Sequence, residues 1–175
     1  MRLEFASYVR KPTARVPEGY RLHRYRPGEE GDWIQLLNES REFGVWNTGK
    51  LRSMILDSLI PNSGVFISDS KALIACAACC SVSSFLPYAT ANYALVLPEH
   101  RGRGLGLIAM AAVIDSARDA GFPGVVLQTD DFRIPAVKTH LKLGFRPDIT
   151  IRPATATRWS AVLAATGNLG KEGMV

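Results

Sequence analysis

An α/β domain, with strands and helices alternating along one chain, is the fold class this sequence predicts. Three observations predict it. Apolar runs of strand length recur at 65–67, 72–82, 91–97 and 125–129. Segments with helical spacing of apolar residues lie before, between and after these runs. Glycine and proline fall at the junctions, where a chain changes element. The length of 175 residues suits one domain with a sizeable core.

The elements follow in order. Residues 3–9 predict a short strand, and 11–18, with two prolines, a linker. The segment 19–26 alternates apolar and basic side chains, as a half-exposed strand does, and Pro27-Gly28 breaks it. Residues 29–41 predict a helix with Trp33, Leu36 and Leu37 on one face. Asn47-Thr48 predicts the cap of a second helix, in which Leu51, Met54, Ile55, Ser58 and Leu59 keep the period until Pro61 ends it. Phe43 and Trp46 lie between the two helices; they serve either as an acceptor pocket or as packing, and packing is the favoured reading. Asp69-Ser70-Lys71 joins strands 65–67 and 72–82 in a hairpin, and 83–89 is a loop. A strand over 91–97 precedes a glycine turn and a helix that ends near Asp119-Ala120, with Gly121 as its left-handed cap. A strand over 125–129 follows. Pro135 opens a helix carrying Val137, His140 and Leu141 on one face, Gly144 ends it, and Phe145 begins a sixth strand. A last short helix covers 155–165, and 169–175 should fray.

The most informative stretch is 93–106, Tyr-Ala-Leu-Val-Leu-Pro-Glu-His-Arg-Gly-Arg-Gly-Leu-Gly. Pro98 stops the strand, since it has no N–H to give to a ladder. Glycine then occupies every second place, and Leu105, Ile108, Ala109, Ala112 and Val113 open an amphipathic helix. Backbone amides converge at such a turn, and a helix amino terminus adds partial positive charge. That combination suits a phosphate or pyrophosphate. The dinucleotide pattern fails, because Leu107 stands where its third glycine is due, and no Gly-Lys-Ser/Thr follows for a P-loop.

Arg101, Gly104 and Gly106 make an R-x-x-G-x-G pattern that resembles the pyrophosphate-binding motif of the GNAT superfamily of N-acetyltransferases. A second stretch, Ala136-x-x-x-His140-x-Lys142-x-Gly144-Phe145, is similar to that family's A-x-x-x-Y-x-K-x-G-F. The order of elements from Tyr20 to Ile149 also agrees. The resemblance implies a mixed, splayed central β-sheet flanked by helices, formed by a single domain over 1–175. Its motif core spans about 91–150, with an extension at 1–18 and a helix and tail at 155–175.

The resemblance also implies a chemistry: transfer of an acetyl group from acetyl-coenzyme A to a primary amine. Arg101, Gly102, Arg103, Gly104, Leu105 and Gly106 are the implied pyrophosphate cradle. Val96 and Leu97 are the implied backbone partners of the pantetheine arm and thioester carbonyl, a backbone N–H acting as an oxyanion-type donor. Arg133 stands where many relatives have asparagine; it is a candidate cofactor contact, to the pantetheine or a phosphate, or it points to solvent. His140 replaces the family's tyrosine and is the candidate general acid, since an imidazolium can protonate a leaving thiolate. No carboxylate lies on the strand, so Glu99 just after it is the candidate base, with His23, Glu42 and Asp130 behind it. The alternative is a coenzyme-A-binding sensor or interaction module without turnover.

Cys76-Ala-Ala-Cys79 has the C-x-x-C form, but zinc needs about four ligands and the three histidines are far off. Residues 76 and 79 diverge on a strand, so Cys76, Cys79 and Cys80 are expected as small buried thiols, with no metal. The net charge of +5 suits an anionic cofactor. Basic residues are scattered, which disfavours nucleic acid as a partner. No apolar run has transmembrane length and no secretory signal opens the sequence, so a cytoplasmic location without membrane contact is expected. The expected partner is a small-molecule or protein amine acceptor, and a homodimer is compatible.

Overall fold

The longest strands are the most apolar ones, and they form the middle of the sheet. The computed structural model describes residues 1–7, 15–148 and 156–167. In it β4 (Leu73–Cys80) and β5 (Ala89–Val96) pair antiparallel. Every β4 residue from Ile74 to Cys80 is buried, as befits a strand covered on both faces. β3 (Val65–Ser68) pairs antiparallel with β4, and β2 (Arg21–Arg24) with β3. On the other side β6 (Gly124–Val126) runs parallel to β5, and β1 (Arg2–Glu4) closes that edge antiparallel to β6. The described residues thus form a mixed, open sheet in the order β1-β6-β5-β4-β3-β2.

The helices bury the faces their spacing predicts. α1 (Glu30–Ser40) turns Trp33, Leu36 and Leu37 inward, with the Trp33 ring edge-on to Phe66 of β3 at 4.9 Å. α3 (Leu105–Asp119) buries Leu105, Ile108, Ala109, Val113 and Ile114, and Gly121 beyond it is left-handed at φ +82°. α4 (Ile134–Lys142) has Pro135 in its first turn and buries Val137, His140 and Leu141. α5 (Ala156–Ala165) packs Val162, Trp159 and Leu163 against Val137 and Leu141.

Three elements depart from expectation. α2 (Thr48–Met54) is capped by Asn47, whose side chain accepts from the Lys50 amide at 2.9 Å, but it ends before Ile55 instead of reaching Pro61. The chain from Ser58 to Ile60 bonds to the end of β4 instead: Ile60 N–H donates to Cys79 and Ser81 N–H to Ser58. Those sheet-like bonds compete with a continuing helix, and only a 3₁₀ turn, Leu56–Ser58, remains. The strand expected over 3–9 is β1 alone, followed by a 3₁₀ turn at Phe5–Ser7, with the rest outside the described residues. The strand expected over 125–129 ends at Val126. Of the sixth strand expected from Phe145, the described residues, which run to 148 before resuming at 156, show one bridge, Arg146 to Arg2, and the rest lies outside them. Parts of the 11–18 linker and all of 169–175 lie outside the described residues.

Candidate active site

The sheet opens between β5 and β6. The two strands pair only through Ala89 with Val125 and Thr90 with Val126. Beyond Thr90, β5 continues to Val96 with no strand on that side among the described residues. On its other side the register passes from Cys76 opposite Leu95 to Ala78 opposite Asn92. Tyr93 and Ala94 therefore share one partner position, which is a β-bulge. Tyr93 adopts φ +50°, in the left-handed region, and Ala94 is exposed in mid-strand. A widening slot with a bulge on one wall is the result.

The strand's hydrogen bonds decide which groups face that slot. Leu97 N–H donates to Ile74 at 3.0 Å, and Leu97 C=O accepts from His100. Both backbone groups of Leu97 are thus engaged and its side chain is buried, which leaves no unbonded backbone group there to meet the expected pantetheine arm. In an antiparallel ladder the next residue points the other way. Val96 is that residue, and its N–H faces the open side. Its carbonyl is occupied by Arg101, whose Nε donates to it at 3.0 Å.

At the end of β5 the turn is shaped by two left-handed glycines, Gly102 and Gly104, both at φ +78°. A Cβ at either would meet nothing within 4 Å, so these glycines serve backbone direction and not close packing. Gly104 caps α3 without a side-chain bond, and the first helical bond runs from Ile108 to Gly104. The amides of Leu105, Gly106 and Leu107 therefore have no intrahelical acceptor. Gly106 sits against the Val96 side chain, 3.6 Å from where its own Cβ would be, which puts this anion-seeking terminus at the mouth of the slot. Of the expected cradle, Leu105 contributes its amide, since its side chain is buried. Arg103 lies over the Tyr20 ring at 5.9 Å, and the Tyr20 hydroxyl shares a 2.7 Å hydrogen bond with His100 Nδ1. A pyrophosphate fits this donor set.

Glu42 joins the two sides of the slot. It follows α1, where Arg41 turns left-handed at φ +56°. One of its carboxylate oxygens accepts from Arg101 and the other from Arg133. Arg133 also donates to Asp130 at 3.1 Å and lies over the Phe43 and Phe132 rings at 5.4 and 5.5 Å. Burial would lower the Arg133 pKa, but the bonds to Glu42 and Asp130 raise it on balance. Phe43 and Trp46 both stand edge-on to Tyr93, at 5.5 and 4.8 Å. These aromatics pack the α1–α2 loop onto the bulge of β5, whereas the packing reading had them join the two helices. Sequence reasoning ranked Glu42 low, because partners 59 and 91 residues away leave no local pattern.

The two expected proton carriers fare differently. Glu99 is exposed in the 3₁₀ turn Pro98–His100 and makes no hydrogen bond or ion pair among the described residues. His140 is buried beside Phe145, ring centroids 5.8 Å apart, and its Nδ1 has no hydrogen-bond partner. Burial lowers its pKa to about 4, with the Met1 ammonium adding to the effect. The ring is neutral near pH 7, so the expected imidazolium donor does not form there. Cys76, Cys79 and Cys80 are buried free thiols. Burial pushes Cys76 and Cys79 up to about 12 and raises Cys80 as well, which leaves them inert. No helix among the described residues is long and apolar enough to cross a membrane.

Known proteins agree with this geometry. Residues 31–145 match the model of the Acetyltransferase (GNAT) family. A mycothiol acetyltransferase of Thermomonospora curvata is 25% identical over 139 residues, which cover 77% of this chain and 46% of that protein. The chain thus spans about half the length of the curated relatives it matches. The ribosomal-protein-S18-alanine N-acetyltransferase of Escherichia coli superposes with a TM-score of 0.61 at 17% identity, covering 73% of this chain and 78% of that one. A GNAT family acetyltransferase of Brucella melitensis, solved in complex with acetyl-CoA, gives 0.52 at 16% identity over 63% and 76%. These two likenesses concern the fold, and the family match does not favour the module without turnover. Its motif core, splayed sheet and uncapped glycine turn lie where the family model runs, and the chain belongs to the GNAT acetyltransferase family.

Proposed function

We propose that the protein transfers the acetyl group of acetyl-coenzyme A to a primary amine of a small-molecule or protein acceptor, by direct attack of the amine on the thioester. One observation carries the reading: β5 parts from β6 beyond Thr90 and ends at a turn of uncapped amides. The amides from Gly102 to Gly106 would hold the pyrophosphate. The Val96 N–H, directed into the slot, would steady the developing oxyanion of the thioester carbonyl. Phe43 and Tyr93 would form the wall an acceptor meets, with Trp46 buried behind them. A cytoplasmic location goes with this reading, in keeping with three unpaired cysteines.

The test is an acceptor screen with acetyl-coenzyme A, covering small amines and peptide amino termini and following acetylated product by mass. Product with at least one amine class supports the reading. Release of coenzyme A without any acetylated amine, or no turnover at all while the cofactor binds, overturns it.

A further inference from the structure

We propose that Glu42 is a gate on the cofactor site: its carboxylate occupies Arg101 and Arg133 in the free protein, and the cofactor's phosphates displace it. The inference rests on the cofactor reading given above. It starts from which segments the carboxylate ties together. Arg101 belongs to the glycine turn after β5, and Arg133 caps α4 after β6. Glu42 comes from the loop between α1 and α2. A single carboxylate, one oxygen for each arginine, therefore bridges the two arms of the splayed sheet.

The bridge is placed where an arriving diphosphate has to compete with it. Arg101 lies one residue before Gly102, whose turn aims its amides at the same anion. Its guanidinium is committed to Val96 and Glu42. The contact is also accessible. The side chains of Arg101, Arg133 and Glu42 are 51%, 25% and 22% exposed, so an incoming anion can reach all three groups. A diphosphate carries more charge than a carboxylate and accepts bidentate arginine bonds, while the turn amides add donors that Glu42 does not use. Exchange of one partner for the other is therefore downhill once the cofactor arrives.

The exchange reaches the acceptor side as well. Glu42 precedes Phe43, which lies under Arg133 and against Tyr93. Lys50 fastens the rest of the loop, donating to the carbonyls of Phe43 and Val45 at 3.1 Å. Losing the Glu42 bonds lets Arg133 shift over the Phe43 ring while Lys50 and Trp46 keep hold of the Phe43 carbonyl, so cofactor occupancy and the Arg133–Phe43 contact become coupled. Such coupling is reciprocal for binding.

The experiment is calorimetry with coenzyme A on the wild type, Glu42→Gln and Glu42→Asp. Removing the competing charge should tighten coenzyme A binding by about three- to tenfold, the scale of exposed ion pairs. Glu42→Asp, one methylene shorter and still charged, should shift in the same direction by less. Weaker or unchanged binding in Glu42→Gln overturns the gate, because it would make Glu42 an organiser of the arginines or a bystander. A wild type that does not bind coenzyme A overturns the cofactor reading itself, a distinguishable result.

Discussion

The two ends of the β5–β6 pair follow opposite rules. At the closed end, β1, β6 and the start of β5 approach so tightly that a glycine is needed for lack of room. A Cβ on Gly124 would lie 2.2 Å from the Leu3 carbonyl oxygen and 3.2 Å from Glu4 Cα. At the open end, the glycines at 102 and 104 have empty space around them and are needed for their left-handed backbone. The same residue type is thus structural at one end and directional at the other. The comparison teaches that the slot is stable because the opposite end is fixed: strands that part beyond Thr90 must be held firmly before it.

The largest expected effect is at the closed end. Gly124→Ala places a Cβ against backbone atoms of β1, which cannot swing aside as a side chain would. Overpacking of this kind costs roughly 1–3 kcal/mol, and the loss should sit at the upper end because β1 must move as a unit. Denaturant unfolding measures it. A variant within about 0.5 kcal/mol of wild type, the range of surface changes, would show that β1 adds nothing to the closed end.

The next effect is at the open end and separates affinity from stability. Gly104→Ala meets no packing conflict, so folding should lose only the left-handed penalty of about 1–2 kcal/mol. If the backbone relaxes instead, the amides after it no longer converge. Coenzyme A affinity should then drop about tenfold or more, the scale of one or two charge-assisted hydrogen bonds. Unchanged affinity in a destabilised protein would place the pyrophosphate elsewhere and erase the contrast with Gly124.

The same contrast explains what could be read in advance. Helix faces such as Trp33-Leu36-Leu37, the Asn47 cap and the glycine turn are local patterns, and they were legible. So was the family, from the spacing of Arg101, Gly104 and Gly106. Non-local arrangements were not. β1 pairs with a strand more than a hundred residues away. The bulge at Tyr93 uses a left-handed tyrosine where glycine would have been the signal. Glu42 draws its meaning from two arginines on other segments. His140 stands at a matched motif position, and only its burial reveals that it stays uncharged.

The smallest expected effect on activity decides to which region His140 belongs. A general acid is worth on the order of 100-fold or more in rate. A neutral, packed imidazole is worth far less, so His140→Phe should lower kcat at pH 7 by less than about tenfold, still short of that range. The residue should show itself in stability instead. Its folded pKa of about 4 lies below the ordinary 6.5, so the unfolded chain binds the proton first as pH falls. Stability from this group is complete above about pH 6.5 and is lost progressively down to about pH 4, where the folded ring also protonates. The slope in that window is at most about 1.4 kcal/mol per pH unit. His140→Phe should flatten that part of the acid-unfolding profile while wild type keeps it. A hundredfold fall in kcat at pH 7, with an unaltered acid profile, would return His140 to the open end and to proton transfer.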